Sequence, residues 1–446
     1  MKGDFSRWTF SPRKNYSRVL LQQGRPQLDA DWNEQVAILL RNHRILSRDL
    51  IGPHGGPADH CGFGIDELPE GPLDFLICDG RYYVNGICCE NHSALRFSEQ
   101  PLPFQGPPVV NGKHYLVYLD TWEELVTAAD DPDLFEPALG GFDTAARSQV
   151  VWQVLTREVD PTLNRQYVLD NWKRMKDSWH PRMRGSLRVR MADPSGDGEP
   201  PQEQVRTGQR YRGTENQLYR IEIHHGGRAQ NGPGGATFKW SRENGSIMLP
   251  VLALKDSTVT LGGFDSEGWS TLATGDWLES VTGPGNPTAK PSPLVQVKSR
   301  GPGREQVTLE LGEGIPDLDL VLNNRVRLRR WDHRAGRTGR SGVPLHEGAI
   351  PVVEGDAHWL AIENGIEVQF APGDNTFRTG DYWLIPARTA EGGKVLWPQQ
   401  GGVPQAMGPH GVEHAYAPLA LIEFTPTARL KQSCRWQFQT VPLSAV

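Results

Sequence analysis

Short runs in which apolar and polar residues alternate occupy most of this chain. Alternation with a period of two puts successive side chains on opposite faces of a strand, so it predicts β-structure. Two dipeptides within these runs, Asp79-Gly80 and Asn85-Gly86, favour the positive φ angles of tight hairpin turns. The clearest runs are 74–90, 113–122, 147–159, 365–370 and 380–387.

A second set of short runs is evenly spaced, at 275–281, 293–299, 305–311 and 324–331. Regular spacing of short strands is typical of sandwiches and small barrels. We therefore expect a small β-barrel-like domain within residues 246–335.

One segment near the N-terminus has helical spacing instead. The run from Asp31 to Leu50 is the clearest helix in the sequence, and Gly52 and Pro53 stop it. Asp31 with Glu34 three residues later predicts a capping box in its aspartate form. Six residues share one predicted face: Trp32, Val36, Leu39, Leu40, His43 and Leu46.

These elements predict a mainly β fold, a β-rich α+β chain with short-stranded sheets, a small β-barrel-like domain and one prominent N-terminal helix. Glycine- and proline-rich stretches mark the expected boundaries between segments. The expected segments are an N-terminal arm and capped helix (1–60), a β-rich domain with an acidic loop (61–190), a linking β segment (191–245), the barrel-like domain (246–335) and a C-terminal β segment with long loops (336–446).

Composition supports a turn-rich globular chain. The 49 glycines and 35 prolines make up roughly a fifth of the 446 residues. The usual combined share of these two residues is about 12%. The formal net charge of −6 argues against nucleic acid or an anionic membrane as the main partner. The N-terminus lacks the apolar run of a secretory signal, and no stretch is long enough to span a membrane. We therefore expect the chain to be made in the cytoplasm.

Candidate catalytic and metal-binding strings are weak. His410, Glu413 and His414 match a zinc-peptidase pattern that requires a helix. Glycine and proline residues surround and interrupt this string, which predicts a loop leading into a strand. The five cysteines are odd in number, with no C-x-x-C pair, and we interpret them as small buried apolar groups. No phosphate-binding loop or nucleophile elbow occurs, and the sequence offers no convincing cofactor or metal site, so we predict neither a cofactor nor a metal.

Two basic runs are candidate docking surfaces for acidic partners, at 172–190 and 324–340. In the second run, Arg325, Arg327 and Arg329 fall on one face of a predicted strand. Aromatic residues beside the cations in the first run also allow single-stranded nucleic acid, although no nucleic-acid module is recognisable. A solvated face is the third alternative.

The segment QQGRPQLDADWNEQ carries the remaining interface candidates. Its polar side chains suit either the bridging of subunits or the satisfaction of local backbone groups and the helix end. Both interpretations stay open. The candidates are Gln22, Gln23, Arg25, Asp29, Asp31, Trp32, Asn33 and Glu34.

The opening KGDFSRWTFSPRKNYSRVLLQQGRPQLDADWNEQ resembles the signature of a bacterial family described as a domain of unknown function. The similarity continues through VYLDTWEELVTA, EPALGGFDTAARSQVVWQV, NQLYRIEIHHGG, ATFKWSRENGSI and RTGDYWLIPARTA. Members of that family are found with phage-tail-like extracellular contractile injection systems. The resemblance supplies no catalytic residues.

The resemblance implies a non-enzymatic structural component, in the baseplate and spike region, that acts by protein–protein assembly. The implied partners are other proteins of the particle (baseplate, spike, tube or sheath) and further copies of the chain in a homo-oligomer. Such a chain is made in the bacterial cytoplasm and assembled into a particle that can be released. A glycan- or receptor-binding tail module and an envelope-degrading hydrolase are the alternatives.

Overall fold

The computed structural model confirms a mainly β chain with short-stranded sheets, a barrel and one long N-terminal helix. The long helix, α1, spans Asp29–Ile51, and a second helix, α2, spans Arg165–Asp177. The structure describes residues 1–68, 73–102, 108–139, 142–178, 185–192, 210–229, 234–255, 257–262, 272–281, 291–301, 306–310, 326–333, 345–373, 375–425 and 427–439.

Short strands make up most of the described chain, and we number them in chain order. The first eleven are β1 His54–Pro57, β2 Ile65–Glu67, β3 Phe75–Ile77, β4 Gly80–Val84, β5 Ile87–Asn91, β6 Leu95–Arg96, β7 His114–Val126, β8 Phe135–Glu136, β9 Phe142–Asp143, β10 Arg147–Glu158 and β11 Leu187–Met191. Next come β12 Gln217–Ile223, β13 Gly227–Arg228, β14 Thr237–Ser241, β15 Met248–Lys255, β16 Thr258–Leu261, β17 Trp277–Val281, β18 Leu294–Arg300, β19 Gln306–Glu310, β20 Arg327–Trp331, β21 Ile350–Pro351 and β22 Leu360–Ala361. The last are β23 Ile366–Phe370, β24 Thr376–Phe377, β25 Tyr382–Arg388, β26 Lys394–Val395, β27 Gln399–Gln400, β28 Val403–Pro404, β29 Ala415–Phe424, β30 Ala428–Ser433 and β31 Gln437–Phe438.

The chain divides into two compact units, and each contains several separate stretches. Unit 1 holds Met1–Trp8, Leu125–Arg147 and Met183–Val412. Unit 2 holds Thr9–Glu124, Ser148–Arg182 and Glu413–Val446. This division runs across several of the five predicted segments, which stay a prediction.

Unit 1 contains the barrel. Its six strands pair in the closed order β15-β16-β19-β18-β17-β20, so the predicted barrel is confirmed. Alternate residues of each strand point inward, and they fill the interior with aliphatic side chains such as Leu249, Val297 and Leu328. A five-stranded sheet, β21-β14-β12-β25-β26, and a three-stranded sheet, β11-β23-β22, share the other core of unit 1.

Unit 2 is built on two four-stranded sheets, β31-β1-β4-β5 and β10-β7-β29-β30. A smaller sheet, β2-β3-β6, contributes Phe75 and Ile77 to the same core. Helix α2 packs against β29 and buries Val168 and Trp172 there. Both helices of the described chain outside short 3-10 turns therefore belong to this unit.

The predicted turns had different outcomes. Asn85 and Gly86 have φ angles of 51° and 82° and join β4 to β5 as a hairpin, as predicted. The prediction of a hairpin at Asp79-Gly80 was wrong, because β3 pairs with β2 and β6 whereas β4 pairs with β1 and β5. Gly80 is needed there for another reason: a Cβ atom would lie 2.8 Å from the carbonyl oxygen of His60.

The predicted capping box does not form. Helix α1 begins two residues earlier than expected, so Asp31 lies inside its first turn and Leu28 occupies the N-cap position without a side-chain cap. Asp29 and Asp31 still favour the helix, since carboxylates near an N-terminus interact well with its dipole. Within the described ranges, no helix combines the length and apolarity needed to cross a membrane.

Candidate interaction surface

An extended arm precedes α1 and lies almost wholly in solvent. Of residues 12–29, every side chain except that of Val19 is exposed. The arm turns at Gln22–Arg25, where the amide of Arg25 donates to the carbonyl of Gln22 at 3.3 Å. Gly24 supplies the φ of +70° that this turn needs.

Two hydrogen bonds hold the arm beside α1. The hydroxyl of Thr9 donates to a carboxylate oxygen of Glu34 at 2.6 Å, and the amide of Val19 donates to the side-chain oxygen of Gln35 at 2.7 Å. Glu34 therefore binds the arm instead of capping the helix.

Helix α1 contacts the rest of unit 2 through one face. Ala30 and Ile38 are buried, and Arg44 forms a 2.7 Å ion pair with Glu123. The β4–β5 turn lies directly on the helix backbone, since a Cβ atom at Gly86 would come within 2.3 Å of the Arg44 carbonyl oxygen. Glycine at that position lets the hairpin approach the helix closely.

The opposite face of α1 is apolar and exposed. Trp32 is 70% exposed and Leu50 78% exposed. We use "N-terminal surface" for the arm from Thr9 to Leu28 together with this face. Its large exposed apolar side chains are Tyr16, Leu20, Leu21, Leu28, Trp32, Val36, Leu39, Leu40, Leu46 and Leu50.

The structure brings most of the predicted interface residues into this surface. The exposed ones are Gln22, Gln23, Arg25, Asp29 and Trp32, and the half-buried ones are Asp31, Asn33 and Glu34. Leu20 and Leu21 of the arm were not predicted, although two adjacent leucines in a polar segment with no strand pattern were the signal.

Among the described residues, the predicted arginine row of the barrel does not form an exposed surface of the kind seen at the arm. Arg327 is buried, and its guanidinium pairs with Asp130 of the acidic loop. Arg329 is half-buried, and Arg325 lies outside the described residues. The side chain of Arg327 therefore serves the fold, and we do not include it in the N-terminal surface.

Arginines of the first basic run are also engaged within the chain. Arg188 pairs with Asp356 at 2.9 Å and Arg190 with Glu367 at 2.7 Å. The guanidinium of Arg190 also stacks 4.1 Å from the centre of the Trp359 ring. These contacts use the cations that a docking surface on β11 would present.

A buried ionic cluster in unit 1 was not predicted. Lys239 lies 2.6 Å from Glu279 and 3.5 Å from Glu222, and Glu222 is paired in turn with Arg220 at 2.6 Å and Lys2 at 2.9 Å. The signal was present: charged residues, Arg220 and Glu222 on β12 and Lys239 on β14, lie between apolar neighbours within these strands.

Mutual attraction keeps this cluster charged despite its burial. Burial alone would raise the pKa of Glu279, but Lys239 and Lys2 outweigh it and lower that pKa to about 2. Burial lowers the pKa of Lys2 to about 8, against the opposing effect of Glu222 and Glu279. Asn244 adds a bond from its side-chain amide to the Gly3 carbonyl at 2.9 Å. The cluster thus ties the first residues to the core of unit 1.

The zinc-like string forms a loop that enters β29, as predicted. His414 bonds through Nδ1 to a carboxylate oxygen of Asp120 at 2.7 Å, and both side chains are buried. The rings of Trp122 and Tyr416 lie 5.0 Å and 6.0 Å from the imidazole. A pair enclosed in this way orients the start of β29 and offers no access to a substrate.

In the part of the chain that the structure describes, no three His, Cys, Asp or Glu side chains gather where they could hold a metal ion.

The family model for a family of unknown function, DUF6519, matches residues 1–186 and 178–442. The chain belongs to this family. No curated protein and no solved structure matches it. The N-terminal surface of this DUF6519 chain lies inside the first matched range.

Proposed function

We propose that this protein is a non-enzymatic structural component of a phage-tail-like contractile injection system, placed in its baseplate and spike region. The N-terminal surface is the observation that carries the proposal. The resemblance of the opening segment to proteins found with such systems supports the choice of particle. In this proposal the chain is made in the bacterial cytoplasm and joins the particle by protein–protein assembly.

Exposed apolar side chains in this number need a partner. Contiguous apolar patches larger than a few hundred Å² are rare on monomeric soluble proteins, and they mark interaction sites. Burying each of these side chains removes on the order of 50–100 Å² of apolar surface from water. Unit 2 alone gains no stabilisation from this face of α1, because the face is exposed to water. Covering it in an assembly supplies that stabilisation.

The arm has the chemistry of an interface rim. Gln22, Gln23 and Arg25 surround a turn, and they offer amide and guanidinium groups beside Leu20 and Leu21. Interfaces commonly combine an apolar centre with a polar edge, and arginine and aromatic residues are enriched in them. The arm thus suits a neighbouring protein of the particle.

The direct test is electron microscopy of particles from a strain that lacks this chain. We expect particles that fail to assemble, or that lack defined density in the baseplate and spike region. Restoring the wild-type chain should restore that density. Unchanged particles with the same density everywhere would contradict the proposal.

A variant of the arm makes the test specific to the surface. Leu20→Asp together with Leu21→Asp should prevent incorporation into particles, because buried unpaired carboxylates are costly at an interface. Val403→Asp is the matched control, since Val403 is equally exposed but lies on β28 in unit 1. Normal incorporation of the arm variant would exclude the arm as the docking element.

A further inference from the structure

The exposed face of α1 has a stricter repeat than a surface helix requires. Its apolar positions are separated alternately by four and three residues, which is the heptad repeat of coiled-coil seams. A single polar residue, His43, interrupts the repeat. The stripe consists of Trp32, Val36, Leu39, His43, Leu46 and Leu50.

Unit 2 uses a different face of the same helix. Its buried contacts come from Ala30 and Ile38, with Ala37 and Ile45 half-buried beside them. These residues fall between the stripe positions along the sequence. The heptad stripe is therefore additional to what α1 needs in order to pack within its own unit.

We propose that α1 pairs with α1 of a second copy of this chain, in an antiparallel two-helix seam formed by the stripe. A knobs-into-holes seam requires the same seven-residue repeat on both helices, and a second copy supplies it. In this arrangement Trp32 faces Leu50 of the other copy, Val36 faces Leu46, and Leu39 faces His43.

Charges at the helix ends favour the antiparallel direction. Asp29 and Asp31 lie in the first turn of α1, and Arg48 lies in its last turn. Antiparallel pairing brings these carboxylates close to Arg48 of the other helix, which lies 3.8 Å from its neighbour Asp49, and it sets the two helix dipoles in opposite directions, which is favourable. Parallel pairing would bring like charges together and place His43 against His43.

The flanks of the stripe present no like charges to each other. One flank carries Gln35, Asn42 and Asp49, so that Asn42 meets Asn42 across the two-fold axis, while the side chain of Gln35 accepts from the Val19 amide of its own arm. On the other flank, Leu40 meets Leu40, which extends the apolar contact. Because no like charges face each other, two copies can approach without the repulsion that such pairs impose.

The apolar area is sufficient for a pair. With Leu40, the stripe contributes six large apolar side chains per copy, which amounts to on the order of 400–600 Å² of apolar surface per partner. Helix backbone and flanking residues add to this area, and standard interfaces bury about 800 Å² per partner. The seam is therefore comparable with known pairwise interfaces.

The oligomeric state of the purified full chain tests the pairing. We expect a dimer by light scattering after size-exclusion chromatography, and a dissociation constant weakened about 100-fold or more by Leu39→Glu with Leu46→Glu, since four carboxylates then enter one seam. Val403→Glu is the matched control and should leave the dimer intact. Circular dichroism should show equal folding of all three proteins.

Cross-linking tests the direction of the helices. Asn42→Cys, in a Cys88→Ser background that removes an exposed thiol, should cross-link between copies with a short bis-maleimide. Leu50→Cys should not, because an antiparallel seam separates the two Leu50 positions by about 27 Å along the axis. Cross-linking at Leu50 but not at Asn42 would overturn the antiparallel seam.

A wild-type chain that stays monomeric at about 100 μM, a concentration at which weak pairs still form, would overturn the pairing itself. The inference rests on the proposed function in taking α1 as an assembly surface. The dimer and the proposed function can nevertheless fail separately. Self-association is measured on the purified chain, without other particle proteins. The role in the particle is measured by electron microscopy, without purified dimer.

Discussion

The two helices of unit 2 have similar periodic patterns but bury their apolar residues differently. Helix α2 places Val168 and Trp172 against β29, where Trp172 is 6% exposed and its indole donates to the Tyr416 carbonyl at 3.3 Å. Helix α1 leaves Trp32 70% exposed. Apolar spacing therefore predicts that a helix forms, but it does not say whether the apolar face packs within the same chain.

The contrast also separates two kinds of stabilisation. The apolar face of α2 contributes to the free energy of unfolding of the monomer, because unfolding exposes it to water. The apolar face of α1 is already exposed in the folded chain, so it contributes only when another surface covers it. Substitutions in the two helices should therefore affect different measurements.

The largest expected effect comes from Trp172→Ala. Removing this indole leaves a cavity under α2 and should lower the free energy of unfolding by about 3–5 kcal/mol. In the dissociated monomer, Trp32→Ala should change it by less than about 0.5 kcal/mol, as exposed substitutions do. Denaturation in urea, followed by tryptophan fluorescence and circular dichroism, measures both.

Self-association measured on dilution provides the control. Trp32→Ala should weaken it, whereas a folded Trp172 variant such as Trp172→Phe should not. Equal losses of stability for Trp32→Ala and Trp172→Ala would remove the distinction between the helices.

A pH titration gives the next largest effect. His54 follows α1 directly and is hydrogen-bonded to Tyr82 at 3.1 Å. Burial, and to a lesser extent Lys176 of α2, lowers the pKa of His54 to about 4 from an ordinary 6.5. The folded state thus resists protonation of His54. The contribution of this neutral imidazole to the free energy of unfolding is therefore complete above pH 6.5, and it falls by about 3 kcal/mol as the pH drops to 4.

His54→Gln isolates this contribution, because other buried histidines of unit 1 also have lowered pKa values. The variant should lose less stability than the wild type between pH 6.5 and 4, as measured by urea denaturation at each pH. Identical slopes for the two proteins would count against a buried neutral His54.

The helix caps give the smallest effects, of opposite sign. Asn164 caps α2 by accepting from the Tyr167 amide at 3.0 Å, so Asn164→Ala should cost about 1 kcal/mol. Leu28 leaves α1 without a side-chain cap, so Leu28→Asp should add about 0.5–1 kcal/mol. Thermal unfolding compares the two, with Asn164→Asp as the conservative control. Destabilisation by Leu28→Asp would show that the packing of Leu28 stabilises the chain more than an aspartate cap would.

Local patterns were sufficient for much of the fold. The Asn85-Gly86 turn followed from the positive φ angles that its residues tolerate, and the barrel strands followed from regular alternation. Helix α2 was not predicted, because the lysines and arginines of its second half were interpreted as part of a basic docking surface, although Asn164 is a good cap residue. The capping box was misplaced because Asp29 and Asp31 offered two nearby starts for α1.

By itself, the sequence determined which segments become strands and helices, since φ preferences and periodicity act over a few residues. Only the tertiary structure decided where their faces go. It turned Arg327 toward Asp130, enclosed Lys239 with Glu279, and left the heptad stripe of α1 in water. Burial depends on which distant strands meet, because the hydrophobic effect is non-directional and favours whichever apolar surface is within reach.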